Sequence, residues 1–135
     1  MKRDTKVYEL MHRNVYCARP EMTLRALIKE LVGRKITGCP VVDDQERLVG
    51  TISLADVAVA LGFPPEGNPD PRVGDVMVRD VIGLEQTASL KEVIKIILEH
   101  RIHRLIITYQ GRVTGIISPL DLIGAALEQK VQLLM

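Results

Sequence analysis

Apolar residues along this chain alternate between a helical and a strand rhythm. After Thr23, a plausible N-cap, Leu24, Leu27, Ile28 and Leu31 lie on one stripe of a helix. Pro40-Val41-Val42 and Leu48 to Ile52 are continuous apolar runs of strand length, joined by the polar turn Asp43 to Glu46. Leu54 to Leu61 then predicts a second helix, with Gly62 suited to end it. The rhythm recurs downstream. Ser89 with Glu92 predicts a capping box, Leu90, Val93, Ile94 and Ile97 a helical stripe, and Leu105–Ile107 and Val113 to Ile117 two strands. A final helix is predicted from Leu120 to about Lys130. Phe63 to Pro71 separates the halves, and four prolines in nine residues exclude a helix there.

The recurrence is a duplication. Val7, Met11, Arg13 and Val15 match Val73, Met77, Arg79 and Val81 at an offset of 66, as Thr23, Leu24, Ile28 and Lys29 match Ser89, Leu90, Ile94 and Lys95. After the Asp43–Arg47 turn the offset is 65: Arg47, Gly50, Ile52, Ser53, Asp56 and Ala60 match Arg112, Gly115, Ile117, Ser118, Asp121 and Ala125. The chain therefore reads as repeat one over 1–62, a proline-rich linker over 63–72 and repeat two over 73–135. Each repeat has the order β-α-β-β-α, which makes the fold class α/β (α+β). A unit of that size buries only about 60% of its unfolded surface, so the two copies are expected to pack with pseudo-two-fold symmetry into one module.

Composition narrows the function. Apolar residues make up 47% of the 135 and charged residues 26%, with a net charge of +1, a globular balance with no electrostatic case for nucleic acid. There is no Trp and only one Phe and three Tyr, too few for a base-stacking platform. No apolar run is long enough for a membrane span or a signal sequence, and the expected location is cytoplasmic.

Candidate chemistry sits at the two strand-to-helix junctions. Gly115-Ile116-Ile117-Ser118-Pro119-Leu120-Asp121 and Gly50-Thr51-Ile52-Ser53-Leu54-Ala55-Asp56 share one design. The serine hydroxyl and free backbone N–H groups suit an anion, and the aspartate suits a sugar diol. The same spacing is also a simple cap; its duplication favours the binding reading, and the two roles are compatible. Cys17 and Cys39 lack metal spacing, and Cys39 reads as a small buried residue. His12 and His100 lack partners in the sequence and read as surface residues. No nucleophile–base set, metal-ligand spacing or phosphate loop is present, so no enzyme is expected.

The duplication, the β-α-β-β-α order and the Gly-Ile-Ile-Ser-x-x-Asp junction together resemble a tandem pair of cystathionine-β-synthase (CBS) domains, a Bateman module, here of the stand-alone prokaryotic type. Val73-Gly74-Asp75-Val76-Met77 and Cys39-Pro40-Val41-Val42-Asp43 add to the likeness. Ile102-His103-Arg104-Leu105 resembles a segment of the AMP-activated protein kinase γ subunit, where the His-Arg pair meets nucleotide phosphate. The resemblance implies a regulatory module with an adenine nucleotide (AMP, ADP or ATP) in clefts between the repeats and no required cofactor. It implies ribose contacts from Asp121 and Asp56, phosphate or ribose contacts from Ser118 and Ser53, and phosphate contacts from Arg104 and His103. The last two read otherwise as a solvated basic turn. Repeat one has Thr37 and Gly38 at those positions, so the clefts are expected to be unequal. The adenine walls are expected from Tyr16, Cys17 and Ala18, facing Asp121, and from Val81, Ile82 and Gly83, facing Asp56. An ordinary packed edge strand is the alternative for both segments. The resemblance further implies a homodimer forming a four-repeat disc, and a separate regulated enzyme or transporter. Alternatives are an S-adenosylmethionine sensor and a ligand-free interaction module.

Overall fold

A computed structural model describes residues 5–102 and 104–127. The chain forms two compact units, cut after Val15 and after Val81. One unit is residues 16–81; the other joins the opening segment, to Val15, to everything from Ile82 onward. Sequence repeats and spatial units thus differ. Each repeat gives its opening segment to the other repeat's core.

In the unit of residues 16–81, α1 (Leu24–Arg34) begins where the Thr23 hydroxyl accepts the Ala26 N–H at 3.1 Å. It buries Leu24, Leu27 and Leu31 and ends at Lys35 in the left-handed region, φ 58°. β1 (Gly38–Val42) and β2 (Leu48–Ser53) pair antiparallel. The intervening turn is fixed by Asp43, whose carboxylate accepts the Arg47 and Gln45 N–H groups; the first of these chiefly holds it below the usual carboxylate range. Pro40 stands opposite Thr51, and the Thr51 backbone bonds Val78 on its other side, so the missing proline N–H breaks no ladder bond. Ala18 joins β1 by one parallel bridge, to Val41. α2 (Leu54–Gly62) runs one residue further than expected and includes Gly62 as its last residue. The proline-rich stretch follows, and α3 (Val73–Val76) closes the unit. Ala18, Leu27, Leu31, Val41, Ile52, Val57, Val73 and Met77 share its core.

The second unit repeats the plan. Val7–Glu9 is a single 3₁₀ turn, the counterpart of α3. β3 (Gly83–Glu85) runs parallel to β4 (Leu105–Tyr109), which pairs antiparallel with β5 (Arg112–Ile117). α4 (Leu90–His100) starts at Ser89, whose hydroxyl accepts the Glu92 N–H at 3.3 Å. α5 (Pro119–Leu127) begins one residue before the expected start; its expected continuation to Lys130 lies outside the described residues. Val7, Met11, Val93, Leu105, Ile107 and Ile117 form the core.

The exchange is the same in both directions. Lys6 bridges Ser89 and His12 bridges Ile116; at matching positions Arg72 bridges Thr23 and Val78 bridges Thr51. The Val7 N–H donates to the Ala88 carbonyl and the Val73 N–H to the Met22 carbonyl, both at 2.9 Å. Two glycines make room for it. A Cβ on Gly50 would lie 2.8 Å from the Val78 oxygen and the Met77 sulfur. A Cβ on Gly115 would lie 3.0 Å from the His12 oxygen and 2.7 Å from the Met11 Cγ. Gly50→Ala and Gly115→Ala are each expected to cost about 1–3 kcal/mol by overpacking. Gly124→Ala, whose Cβ meets nothing within 4 Å in α5, should instead stabilise by about 0.5–1 kcal/mol. Urea denaturation of the three variants checks the contrast.

Candidate functional site

The two serine–aspartate junctions have the same geometry. Asp56 Oδ2 accepts the Ser53 N–H and the Ser53 hydroxyl, each at 2.9 Å, while Ser53 Oγ accepts the Asp56 N–H at 3.2 Å. Asp121 Oδ2 accepts the Ser118 N–H at 2.7 Å and the Ser118 hydroxyl at 3.1 Å, with the Asp121 N–H 3.4 Å from Ser118 Oγ. Each carboxylate therefore caps its own helix through one oxygen, Oδ2. Pro119 suits the first position of α5, where an N–H would lack a helical partner.

The second oxygen distinguishes the two sites. Among the described residues nothing hydrogen-bonds Asp56 Oδ1, whereas Asp121 Oδ1 lies 2.6 Å from His12 Nε2. The reading of His12 as an unpartnered surface residue is therefore corrected. Its backbone is clamped to β5 by two 2.9 Å hydrogen bonds with Ile116, which aims the imidazole at the start of α5. Asp121 is the sheltered partner at 15% side-chain exposure, and His12 the open one at 70%. Val78 is the residue equivalent to His12 in the other unit. The sequence carried a faint signal of this pairing, since the repeat offset aligns His12 with Val78, but only the segment exchange brings residue 12 beside residue 121.

Each aspartate also lines a concavity beside its helix. The one at Asp56, about 240 Å³, is walled by Val59, Ala60, Phe63, Pro65 and Val76. The one at Asp121, about 300 Å³, is bounded by Glu9, Leu10, Met11, His12, Gly124 and Ala125, among others. Val76 and Leu10 correspond, as do Ala60 and Ala125, so the repeat carries through to the walls. The first is apolar and carries the chain's single phenylalanine at its rim. The second carries an imidazole and a second carboxylate.

The remaining candidates divide by unit. Arg104 is exposed, directly before β4, and the Leu105–Ile117 register sets it across from Ser118. His103 lies outside the described residues. Gly38 stands opposite Ser53, and a Cβ there would lie 2.9 Å from the Ile52 oxygen, so a longer side chain is excluded sterically in repeat one. Tyr16, Cys17 and Ala18 lie in the unit that holds Ser53 and Asp56, as does Val81. Ile82 and Gly83 belong with Ser118 and Asp121, and Gly83 opens β3. Ala18 is fully buried against β1. The Tyr16 ring stacks under the Arg34 guanidinium at 4.3 Å, and burial, then Glu30, pushes its phenol above the usual value.

A CBS domain sequence model matches residues 7–62 and again 73–128. The chain belongs to the CBS domain family. It is 34% identical over 119 residues to the uncharacterized protein MJ1232 of Methanocaldococcus jannaschii, covering 87% of this chain and 38% of that one. The CBS-pair chain thus spans well under half the length of that curated relative. Among solved structures it resembles CBSX2 of Arabidopsis thaliana, crystallised in complex with AMP, with a TM-score of 0.77, 24% identity and coverage of 93% and 98% of the two chains. It also resembles the CBS domain pair of MJ0100, crystallised with 5′-methylthioadenosine and S-adenosyl-L-methionine, with a TM-score of 0.74, 24% identity and coverage of 96% and 100%. At these identities the structural likeness establishes the shared mixed α/β fold with two repeats.

Cys17 and Cys39 have the chemistry of structural thiols. Burial pushes both up to about 11, reinforced at Cys17 by Glu46 and opposed at Cys39 by the Ala18 backbone N–H. At pH 7.5 both should alkylate at least tenfold more slowly than in the urea-unfolded chain. The folded state holds these protons to higher pH than the unfolded state, so their contribution to stability is lost as pH rises from about 9 to about 11. Timed iodoacetamide labelling and denaturation at pH 8 and 10 test the two statements.

Proposed function

We propose that this CBS pair is a regulatory module that binds an adenine nucleotide (AMP, ADP or ATP), with Asp121 and Asp56 receiving the ribose and Ser118 and Ser53 beside it. The observation that carries this reading is the repeated junction: a carboxylate at a helix start, one oxygen fixed by the cap, at the edge of a concavity in each unit. A carboxylate preset by its cap presents Oδ1 to a diol at little cost in side-chain entropy. The likeness to an AMP-bound CBS-pair structure supports the ligand class. The MJ0100 likeness supports a second ligand of the same class, S-adenosylmethionine.

Arg104, set across from Ser118, supplies a guanidinium for phosphate at the Asp121 end, with His103 beside it in sequence. Gly38 denies repeat one the same cation, which supports unequal sites. Tyr16–Ala18 and Val81–Gly83 remain the proposed adenine walls. Ala18 is fully buried with its N–H and carbonyl both bonded to β1, so the adenine contacts proposed for that segment fall to Tyr16 and Cys17.

The reading assigns no reaction to the chain. Its output is a ligand-biased arrangement read by a separate enzyme or transporter. Self-association is supported by apolar side chains left open on α2 (Val59, Leu61) and α5 (Leu120, Ile123, Leu127). Among the described residues, no helix is long and apolar enough to cross a membrane.

Calorimetry with AMP, ADP, ATP and S-adenosylmethionine tests the proposal. One of them should bind below millimolar, and the Asp56→Ala, Asp121→Ala double variant should lose at least tenfold in affinity. No heat with any of the four, or unchanged binding in the variant, overturns it. Sedimentation of the unliganded chain should give a dimer; a monomer at 100 μM removes the disc.

A further inference from the structure

Three of the roughly four acceptor positions of the Asp121 carboxylate are occupied in the chain as it stands, which leaves one fewer than the two free positions a diol needs. Oδ2 takes two hydrogen bonds from Ser118, and Oδ1 meets the His12 imidazole at 2.6 Å. A vicinal diol approaching Asp121 must displace one of these partners. The Ser118 N–H cannot leave without unwinding the helix start, and the Ser118 hydroxyl, which lies 3.1 Å from Oδ2, also receives the Asp121 N–H as part of the cap. His12 is the partner that can leave: its side chain is 70% exposed, and a rotation about its side-chain bonds swings it into solvent.

We infer that His12 is a proton-controlled latch on Asp121, closing that site to a diol in acid and releasing it as the imidazole loses its proton. The inference rests on the ribose reading of Asp121 given above. A protonated imidazole makes a charge-assisted bond to the carboxylate, whereas a neutral ring offers only an ordinary hydrogen bond. Free imidazole side chains change charge near pH 6.5, inside the range a cell experiences.

Three charged residues among those described come near this site: Glu9 and Arg13 on the segment of His12, and Arg104, which stands across from Ser118. Glu9 lines the same concavity, with its carboxylate accepting the Lys6 N–H at 2.9 Å. Arg13 follows His12 in the chain, and its guanidinium is turned to the Tyr8 carbonyl at 2.9 Å. β5 presents Ile116 to His12 and brings no charge there.

The other junction has no such device. Val78 replaces His12, and Asp56 Oδ1 is unengaged among the described residues. One module therefore carries a candidate diol site with a histidine on its carboxylate and another without one.

The test isolates the Asp121 site in an Asp56→Ala background and measures AMP affinity at pH 5.5 and pH 8, with and without His12→Ala. The AMP phosphate also titrates in this range, but equally for both chains. With His12 present the affinity should fall on acidification by about fivefold more than in the His12→Ala chain, the scale of a partly exposed ion pair. Equal pH ratios for the two chains overturn the latch.

A ligand-free arm separates this inference from the ribose reading. The His12 ring resonances should move in the Asp121→Asn chain while those of His100 stay fixed. If no AMP binds either chain at any pH but the His12 signals respond, the ribose reading fails, and with it the latch on a diol, while the His12–Asp121 contact is upheld. If the His12 signals ignore the substitution, the latch fails whatever AMP does.

Discussion

Everything in this protein hangs on the approach of two backbones to less than a side chain's width. His12 lies over Gly115, and Val78 over Gly50, each pair close enough that a single methyl group would collide with a carbonyl oxygen. These contacts dock each repeat's opening segment on the last strand of the other repeat. Val7 and Met11 then complete one core, and Val73 and Met77 the other. The buried apolar area lies beneath, but the glycines decide whether the segments reach it.

The elements were readable because their signals are local. Thr23 and Ser89 cap the helices assigned to them, the apolar runs at 40–42, 48–52, 105–107 and 113–117 lie within strands, and the repeat offset fixed the family. What the local pattern lacked was partnership. Nothing near Val15 in the sequence says that the chain changes unit there, because a run of apolar residues does not record which core it fills. The same gap hid His12, whose partner is 109 residues away. The opening element expected of repeat one, around Val7 to Val15, is a 3₁₀ turn at Val7–Glu9 followed by a single bridge from His12 to Ile116, whereas Gly83–Glu85 pairs over three residues.

The Ser-x-x-Asp junctions show why capping and binding are hard to tell apart from sequence. A helix start needs an acceptor for its free N–H groups, and so does a ligand-free pocket. The serine hydroxyl accepts a helix N–H, and the carboxylate takes the serine N–H with Oδ2. That keeps Oδ1 outside the cap at both junctions, open at Asp56 among the described residues and met by His12 at Asp121. The asymmetry expected from His103 and Arg104 has two further structural sources. One is the contact that forbids a side chain at Gly38; the other is the imidazole across from Asp121.

The exchanged opening segments also bear on how such a chain arose. A lone repeat would hold its opening residues in front of a core it does not fill, with its own core missing a wall. Two copies on separate chains could cure both defects by trading segments, as in a domain-swapped dimer. Joining the copies end to end through the proline-rich stretch turns that trade into an intramolecular event and frees it from protein concentration. In that light the duplicated chain has the connectivity of a swapped dimer joined into one polypeptide, and a joined pair, unlike two identical chains, can carry an imidazole at one carboxylate and a valine at the equivalent place.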